Sequence, residues 1–177
     1  MKTYVVLLKG INVGGHKKVP MAELKALLDK EGFKHVQTYI QSGNVILQTS
    51  ESNKLNLEEH ISEVIQANFG FEVLVLAKTR IELQRIFDNS PFPEEKKVAS
   101  YFMMLHDEPS TEAILEASQK VYQGEEYHII NDCIYYFHEK GLGKAKFNVN
   151  FFERKFQTFA TARNYNTMLK LLSLSED

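Results

Sequence analysis

The chain contains no tryptophan, one cysteine and four prolines among its 177 residues. The lone thiol, Cys133, excludes an internal disulfide and fits a reducing compartment, so packing must hold the fold together. No apolar run approaches the roughly 18 residues of a membrane-spanning helix. Residues 1–3 lead straight into an apolar run with no signal-peptide pattern, which predicts a cytoplasmic protein with no membrane partner. Low-complexity tracts and flexible linkers are missing as well. The six histidines show neither HExxH nor His-x3-His spacing, and Cys133 has no cysteine partner, so neither a metal site nor a cofactor is expected. A G-x-S-x-G nucleophile elbow is also absent.

What is present reads as an ordinary globular composition, 44% hydrophobic and 25% charged, long enough for one large domain or two small ones. Without tryptophan, the twelve phenylalanines and eight tyrosines are the large core fillers. The net charge of −2 hides an asymmetry. Residues 1–50 carry a net +4, residues 51–132 a net −9 and residues 133–177 a net +3. Two basic ends flank an acidic middle, and a basic surface built from the ends would suit phosphate or nucleic acid.

Strand and helix patterns alternate along the chain. An apolar strand over 4–8 is followed by an amphipathic helix over 20–31 that buries Met21, Leu24, Leu27 and Leu28 and stops at Gly32. Two β-rich runs, 36–41 and 44–49, flank a turn centred on Ser42-Gly43 or equally on Gly43-Asn44. Asn53 caps a second helix that ends at Gly70, and a fourth strand is expected over 71–77. The order is βαββαβ, a ferredoxin-like split plait. In the second half, Thr79 and Glu82 form a capping box, residues 89–93 are a proline loop, and 99–105 is a strand. A helix over 110–121 precedes a hairpin, 126–130 and 133–138, turning at Asn131-Asp132. Short helices over 150–156 and from about 161 complete the chain. The class is α+β, with two ferredoxin-like plait-type subdomains packed together, an N-terminal βαββαβ unit over 1–78 and a C-terminal α+β unit over 79–177 ending in two helices.

Three stretches invite chemistry. Residues 9–20 form a glycine-rich basic loop leading into a helix, a combination that can hold an anion. Lys9, Asn12, Gly14, Gly15, His16, Lys17 and Lys18 are its candidate contacts. Gly10 and Gly15 have phosphate-loop spacing, but His16 stands where lysine is needed and Lys17 where Ser/Thr is needed, which argues against a magnesium-dependent triphosphatase. Gln41, Ser42 and Asn44 cluster at the hairpin tip, where they serve either a ligand or the turn itself. Lys144, Lys146, Arg163 and Asn164 add charge and polarity near the C-terminus. There Gly141 and Gly143 begin a dinucleotide fingerprint that Lys146 breaks.

Residues 7–21 (Leu-Leu-Lys-Gly-Ile-Asn-Val-Gly-Gly-His-Lys-Lys-Val-Pro-Met), 38–45 (Thr-Tyr-Ile-Gln-Ser-Gly-Asn-Val) and 161–167 (Thr-Ala-Arg-Asn-Tyr-Asn-Thr) resemble the three signatures of the bacterial domain-of-unknown-function family 1697. In the third, Tyr165 stands where that family usually has tryptophan. The resemblance spans essentially the whole chain and implies a two-part α+β, cytoplasmic protein without an assigned activity. From the residues, the expected function is a binding module for an anionic ligand, whether a phosphorylated small molecule, a nucleotide or a nucleic-acid backbone. The alternatives are an enzyme acting on such a ligand, with His16 as acid/base and Asn12, Gln41, Ser42 and Asn44 orienting substrate, and a structural or partner-binding module.

Overall fold

In the computed structural model, which describes residues 1–140 and 145–176, the apolar run after Thr3 is a central strand. Strand β1 (Lys2–Leu8) lies between β3 (Asn44–Thr49) and β4 (Val75–Thr79), and β2 (Lys34–Tyr39) forms the outer edge beside β3. All three pairings are antiparallel. Alternation sends Tyr4, Val6 and Leu8 to one face, where Val45, Leu47, Val75 and Ala77 join them. Helix α1 (Met21–Lys30) covers that face with Leu24 and Leu28, and α2 (Lys54–Phe69) with Leu57, Ile61 and Ile65. Burying each such side chain contributes about 1.5–3 kcal/mol. Local chemistry sets the ends: the Asn53 side chain accepts the Leu55 amide at 3.0 Å, and left-handed Gly70 closes α2.

The second half repeats this plan. Helix α3 (Arg80–Asp88) opens on the Thr79–Glu82 capping box, with the Thr79 amide donating to Glu82 at 2.8 Å. After the one-turn α4 (Glu94–Lys97), which the sequence pattern did not indicate, come β5 (Tyr101–Leu105), α5 (Thr111–Ala117), β6 (Glu126–Ile130), β7 (Cys133–Phe137), α6 (Val149–Phe156), β8 (Ala160–Asn164) and α7 (Tyr165–Leu174). The sheet order is β6-β7-β5-β8, the same as β2-β3-β1-β4 in the first half. Both halves are therefore βαββαβ plaits, a ferredoxin-like pair. Residues 161–164, expected to begin the last helix, are instead strand, because 160–164 pair in register with β5 from Leu105↔Ala160 to Tyr101↔Asn164. Helix α7 starts only at Tyr165, where the Asn164 side chain accepts the Thr167 amide at 2.9 Å. Strand β4 likewise begins at Val75 rather than 71, and α5 stops at Ala117, leaving Val121 outside it.

The chain divides into two units, Met1–Gln84 joined by the stretch from Lys170, and Arg85–Leu169. A common device protects one edge of each sheet. Glu58 of α2 accepts the outward amide of Ala77 in β4 at 2.7 Å, and Glu153 of α6 accepts that of Ala160 in β8, also at 2.7 Å. Each carboxylate occupies a donor that would otherwise be open to another strand. Glu153 thus serves the sheet, and the cap position of α6 is Asn148. No helix among the described residues is long and apolar enough to cross a membrane.

Candidate functional site

The glycine-rich loop is a small hairpin. The His16 amide donates to the Val13 carbonyl at 3.0 Å across Gly14 and Gly15, whose φ values are +57° and +79°. Two positive φ angles in succession are what a type I′ turn requires, and glycine adopts them without strain. The pair therefore turns the chain outward, and the six residues 13–18 are all exposed. The loop does not wrap a cavity as a phosphate loop does. Helix α1 already carries Glu23 in its first turn, a carboxylate that complements the helix dipole. The loop, rather than the helix end, is where positive charge faces outward.

Asn12 fixes the loop from within. Its Nδ2 donates to the Val19 carbonyl at 3.0 Å and to the Gln41 carbonyl at 2.9 Å, and its Oδ1 accepts the Val19 amide at 2.9 Å. Asn12 itself sits at φ +55°, a left-handed conformation that asparagine tolerates better than most residues. One side chain thus closes the loop at both ends and ties it to the hairpin tip over 38–45. The second tie is Gly43, whose carbonyl accepts the Leu8 amide at 2.8 Å. A Cβ there would stand 2.7 Å from the Leu8 Cβ and 2.9 Å from the Ile11 Cδ1, so only glycine fits.

The first two sequence motifs therefore form one platform at one end of the first sheet. Asn44 is fully buried and donates to the Tyr39 carbonyl at 2.9 Å and to Ser42 Oγ at 3.1 Å, closing the hairpin. Gln41 and Ser42 are exposed, and Gln41 Oε1 receives a long 3.4 Å contact from Asn12. Lys17 reaches the Glu72 carbonyl at 2.8 Å, and the Lys9 amide bonds the Leu74 carbonyl at 3.0 Å, so the segment before β4 completes the platform. Lys18 and His16 are exposed. Residues 9–20 and 38–45 contain three lysines, one histidine and no carboxylate. Among these cations stand exposed apolar side chains, Val13 at 65%, Ile40 at 49% and Leu74 at 43%.

In the second unit, Arg163 is a strand residue of β8 and only 6% exposed. Its Nη1 donates to Thr161 Oγ1 and to the Ala162 carbonyl, both at 2.8 Å, and burial lowers its pKa to about 10, so it remains cationic at neutral pH. A buried guanidinium bonded to its own strand reads as architecture rather than as a surface anion contact. Asn164 is the cap of α7. Lys144, with Gly141 and Gly143, lies outside the described residues. Lys146 contributes its backbone: its amide and that of Phe147 donate to Glu125 at 2.6 and 2.9 Å, and the Tyr136 hydroxyl donates to the same carboxylate at 2.7 Å. Burial pushes the Glu125 carboxyl up, but these three bonds outweigh it and hold its pKa below the ordinary value. Nothing in the sequence singled out Glu125, whose three donors come from two distant segments. Among the described residues no group of three or more His, Cys, Asp or Glu could hold a metal ion.

A family model described as protein of unknown function, DUF1697, matches residues 1–135, and the chain belongs to that family. The solved structure of a conserved bacterial protein from Streptococcus pneumoniae is similar over 98% of each chain, with a TM-score of 0.74 at 22% identity, a likeness of fold. No curated protein matches the chain.

Proposed function

We propose that this member of the DUF1697 family is a binding module for the phosphate backbone of nucleic acid, engaged by the platform of residues 9–20 and 38–45. The observation that carries this reading is the protruding, carboxylate-free turn at Val13–His16, held rigid by Asn12 and followed directly by Lys17 and Lys18. An outward-facing turn cannot enclose a phosphorylated metabolite, since small-ligand sites are concave and bury most of the ligand. It can lie along a polyanion, because each lysine that neutralises a phosphate releases a counterion to solution. Gly14 and Gly15 are exposed beside these cations, where backbone amides can add to the phosphate contacts of the lysines. Rigidity favours this role, since fewer side chains and loops have to be ordered on binding.

The test is fluorescence anisotropy with labelled single- and double-stranded oligonucleotides over a salt series. The expected result is an affinity that falls log-linearly with salt. Lys17→Ala combined with Lys18→Ala should flatten the slope by about 1.4–1.8, at roughly 0.7–0.9 per phosphate contact. An affinity independent of salt, or a slope untouched by the double substitution, would refute the reading.

A further inference from the structure

The same platform carries a feature that phosphate contacts alone do not use. Val13, Ile40 and Leu74 are exposed aliphatic residues at the end of β1, where the Leu8 amide is bonded to Gly43 and the Lys9 amide to Leu74. Ile40 has φ +49°, a costly conformation for a β-branched residue. The carbonyls on either side of it are pinned, that of Tyr39 by Asn44 and that of Gln41 by Asn12, each at 2.9 Å. The hairpin therefore holds an apolar side chain outward in a strained position beside the cations of the loop.

We infer that the polyanion bound here is single-stranded nucleic acid, with unpaired bases packed on Val13 and Ile40 while phosphates meet His16, Lys17 and Lys18. This rests on the backbone-binding reading above and adds the state of the strand. The charge argument requires phosphates, and the apolar residues decide between the forms that carry them. A duplex hides its base faces in the stack, so aliphatic side chains level with the cations would meet hydrated backbone. An unpaired strand offers flat, weakly hydrated base faces next to each phosphate, and proteins that bind single strands combine a basic track with apolar or aromatic surfaces for those faces. Val13 lies in the same turn as His16, followed at once by Lys17 and Lys18, so one exposed apolar side chain directly neighbours the basic residues of the loop. An acidic peptide would satisfy the cations and leave the aliphatic surface without flat partners.

The experiment uses the full chain and four labelled probes: an oligothymidylate of about 15 nucleotides, an abasic strand of the same length and charge, a duplex of the same length, and a poly-glutamate peptide. The expected order is oligothymidylate tightest, by about tenfold over the abasic strand, with roughly fivefold from each aliphatic contact as an upper value. Val13→Asn with Ile40→Asn should close the gap between the two strands, bringing the oligothymidylate down to the affinity that the same variant shows for the abasic strand. Asparagine is chosen because it accepts the left-handed conformation at position 40, and an unchanged melting curve confirms the fold of the variant. Lys18→Ala serves as the counterpart, lowering affinity for both strands together. Equal affinity for the oligothymidylate and the abasic strand, an unchanged double variant, or tighter binding of the duplex or the peptide would overturn this inference while leaving backbone binding to be judged by its salt slope. No binding to any nucleic-acid probe would overturn the backbone reading itself.

Discussion

Replacing Asn12 with alanine removes the side chain that makes the two motifs one platform, and its consequences can be worked from three distances. The Nδ2 bonds to Val19 and Gln41 and the Oδ1 bond from Val19, at 3.0, 2.9 and 2.9 Å, all disappear. At a net 0.5–1.5 kcal/mol each, three bonds span about 1.5–4.5 kcal/mol, and half-burial keeps the loss to the lower part of that range, about 2–3 kcal/mol. Alanine at φ +55° adds about 1 kcal/mol of backbone strain. The total of about 3–4 kcal/mol corresponds to a fall in Tm of roughly 6–16 °C for a chain of this length. Two further variants separate the terms. Asn12→Gly loses the bonds but suits the left-handed backbone, so it should sit about 1 kcal/mol above alanine. Asn12→Asp keeps the acceptor but sets a carboxylate oxygen against the Val19 and Gln41 carbonyls, so it should be no better than alanine. Urea unfolding followed by far-ultraviolet circular dichroism gives the free energies, and hydrogen exchange at the Val19 amide reports the loop itself. An alanine variant within about 0.5 kcal/mol of wild type, the scatter of neutral surface changes, would refute the account of Asn12 as the clamp.

Gly43→Ala combines a positive φ of +84° with a Cβ 2.7 Å from that of Leu8, and should cost about 2–5 kcal/mol in urea melts; a loss under about 1 kcal/mol would mean that the hairpin yields. Glu58→Ala leaves the buried Ala77 amide without its acceptor, so unfolding free energy should drop by about 1–3 kcal/mol, with sedimentation showing whether the freed edge of β4 also promotes association. Glu125 is held below its ordinary pKa by Tyr136, Lys146 and Phe147, so its stabilising effect is complete above the unfolded value of about 4.3 and is lost as pH falls through the lower folded value. The stability gap between wild type and Glu125→Gln should therefore narrow as pH drops below about 4; two parallel pH profiles would contradict this.

The features legible in the sequence are those set by neighbours along the chain. Asn53, Gly70 and the Thr79–Glu82 box mark helix ends through bonds spanning two to four residues, and each forms as the pattern predicts. Strand β8 was not legible in this way, because Thr-Ala-Arg-Asn has no strong local preference and becomes a strand only by pairing with β5. Arg163 follows from that difference: as the first turn of a helix it would face solvent, whereas in β8 it is buried. Asn12 illustrates a second limit. A polar residue in a glycine-rich loop reads as a ligand contact, but its partners are Val19 and Gln41, and no spacing rule connects residue 12 with residue 41. Gly43 was read as a turn residue, which it is; the close approach of Leu8 and Ile11 emerges only when β1 and the hairpin are side by side.

The duplication of the plait sharpens the case for the first unit. Both halves share strand order and even the helix carboxylate that accepts an amide of the fourth strand, so any surface property common to the fold should occur twice. The connections do not repeat. Between β1 and α1 the chain runs through residues 9–20 and carries only cations, whereas between β5 and α5 residues 106–110 include Asp107 and Glu108. Asp107 is engaged there with His106 at 2.8 Å and with the Thr158 hydroxyl at 3.0 Å. The open tip at 40–43 corresponds to a two-residue turn at Asn131-Asp132, in which Asp132 is buried and paired with Arg85 at 2.6 Å. The second unit's counterparts are thus shorter, acidic and already satisfied by their own neighbours. Fold alone cannot account for the long basic loop and its exposed Val13 and Ile40, since the same fold is built again in the second half of the chain without them. A connection that is longer, rigidly clamped and stripped of carboxylates in only one of two equivalent places is where a binding role belongs, on the rim of a scaffold that holds it still.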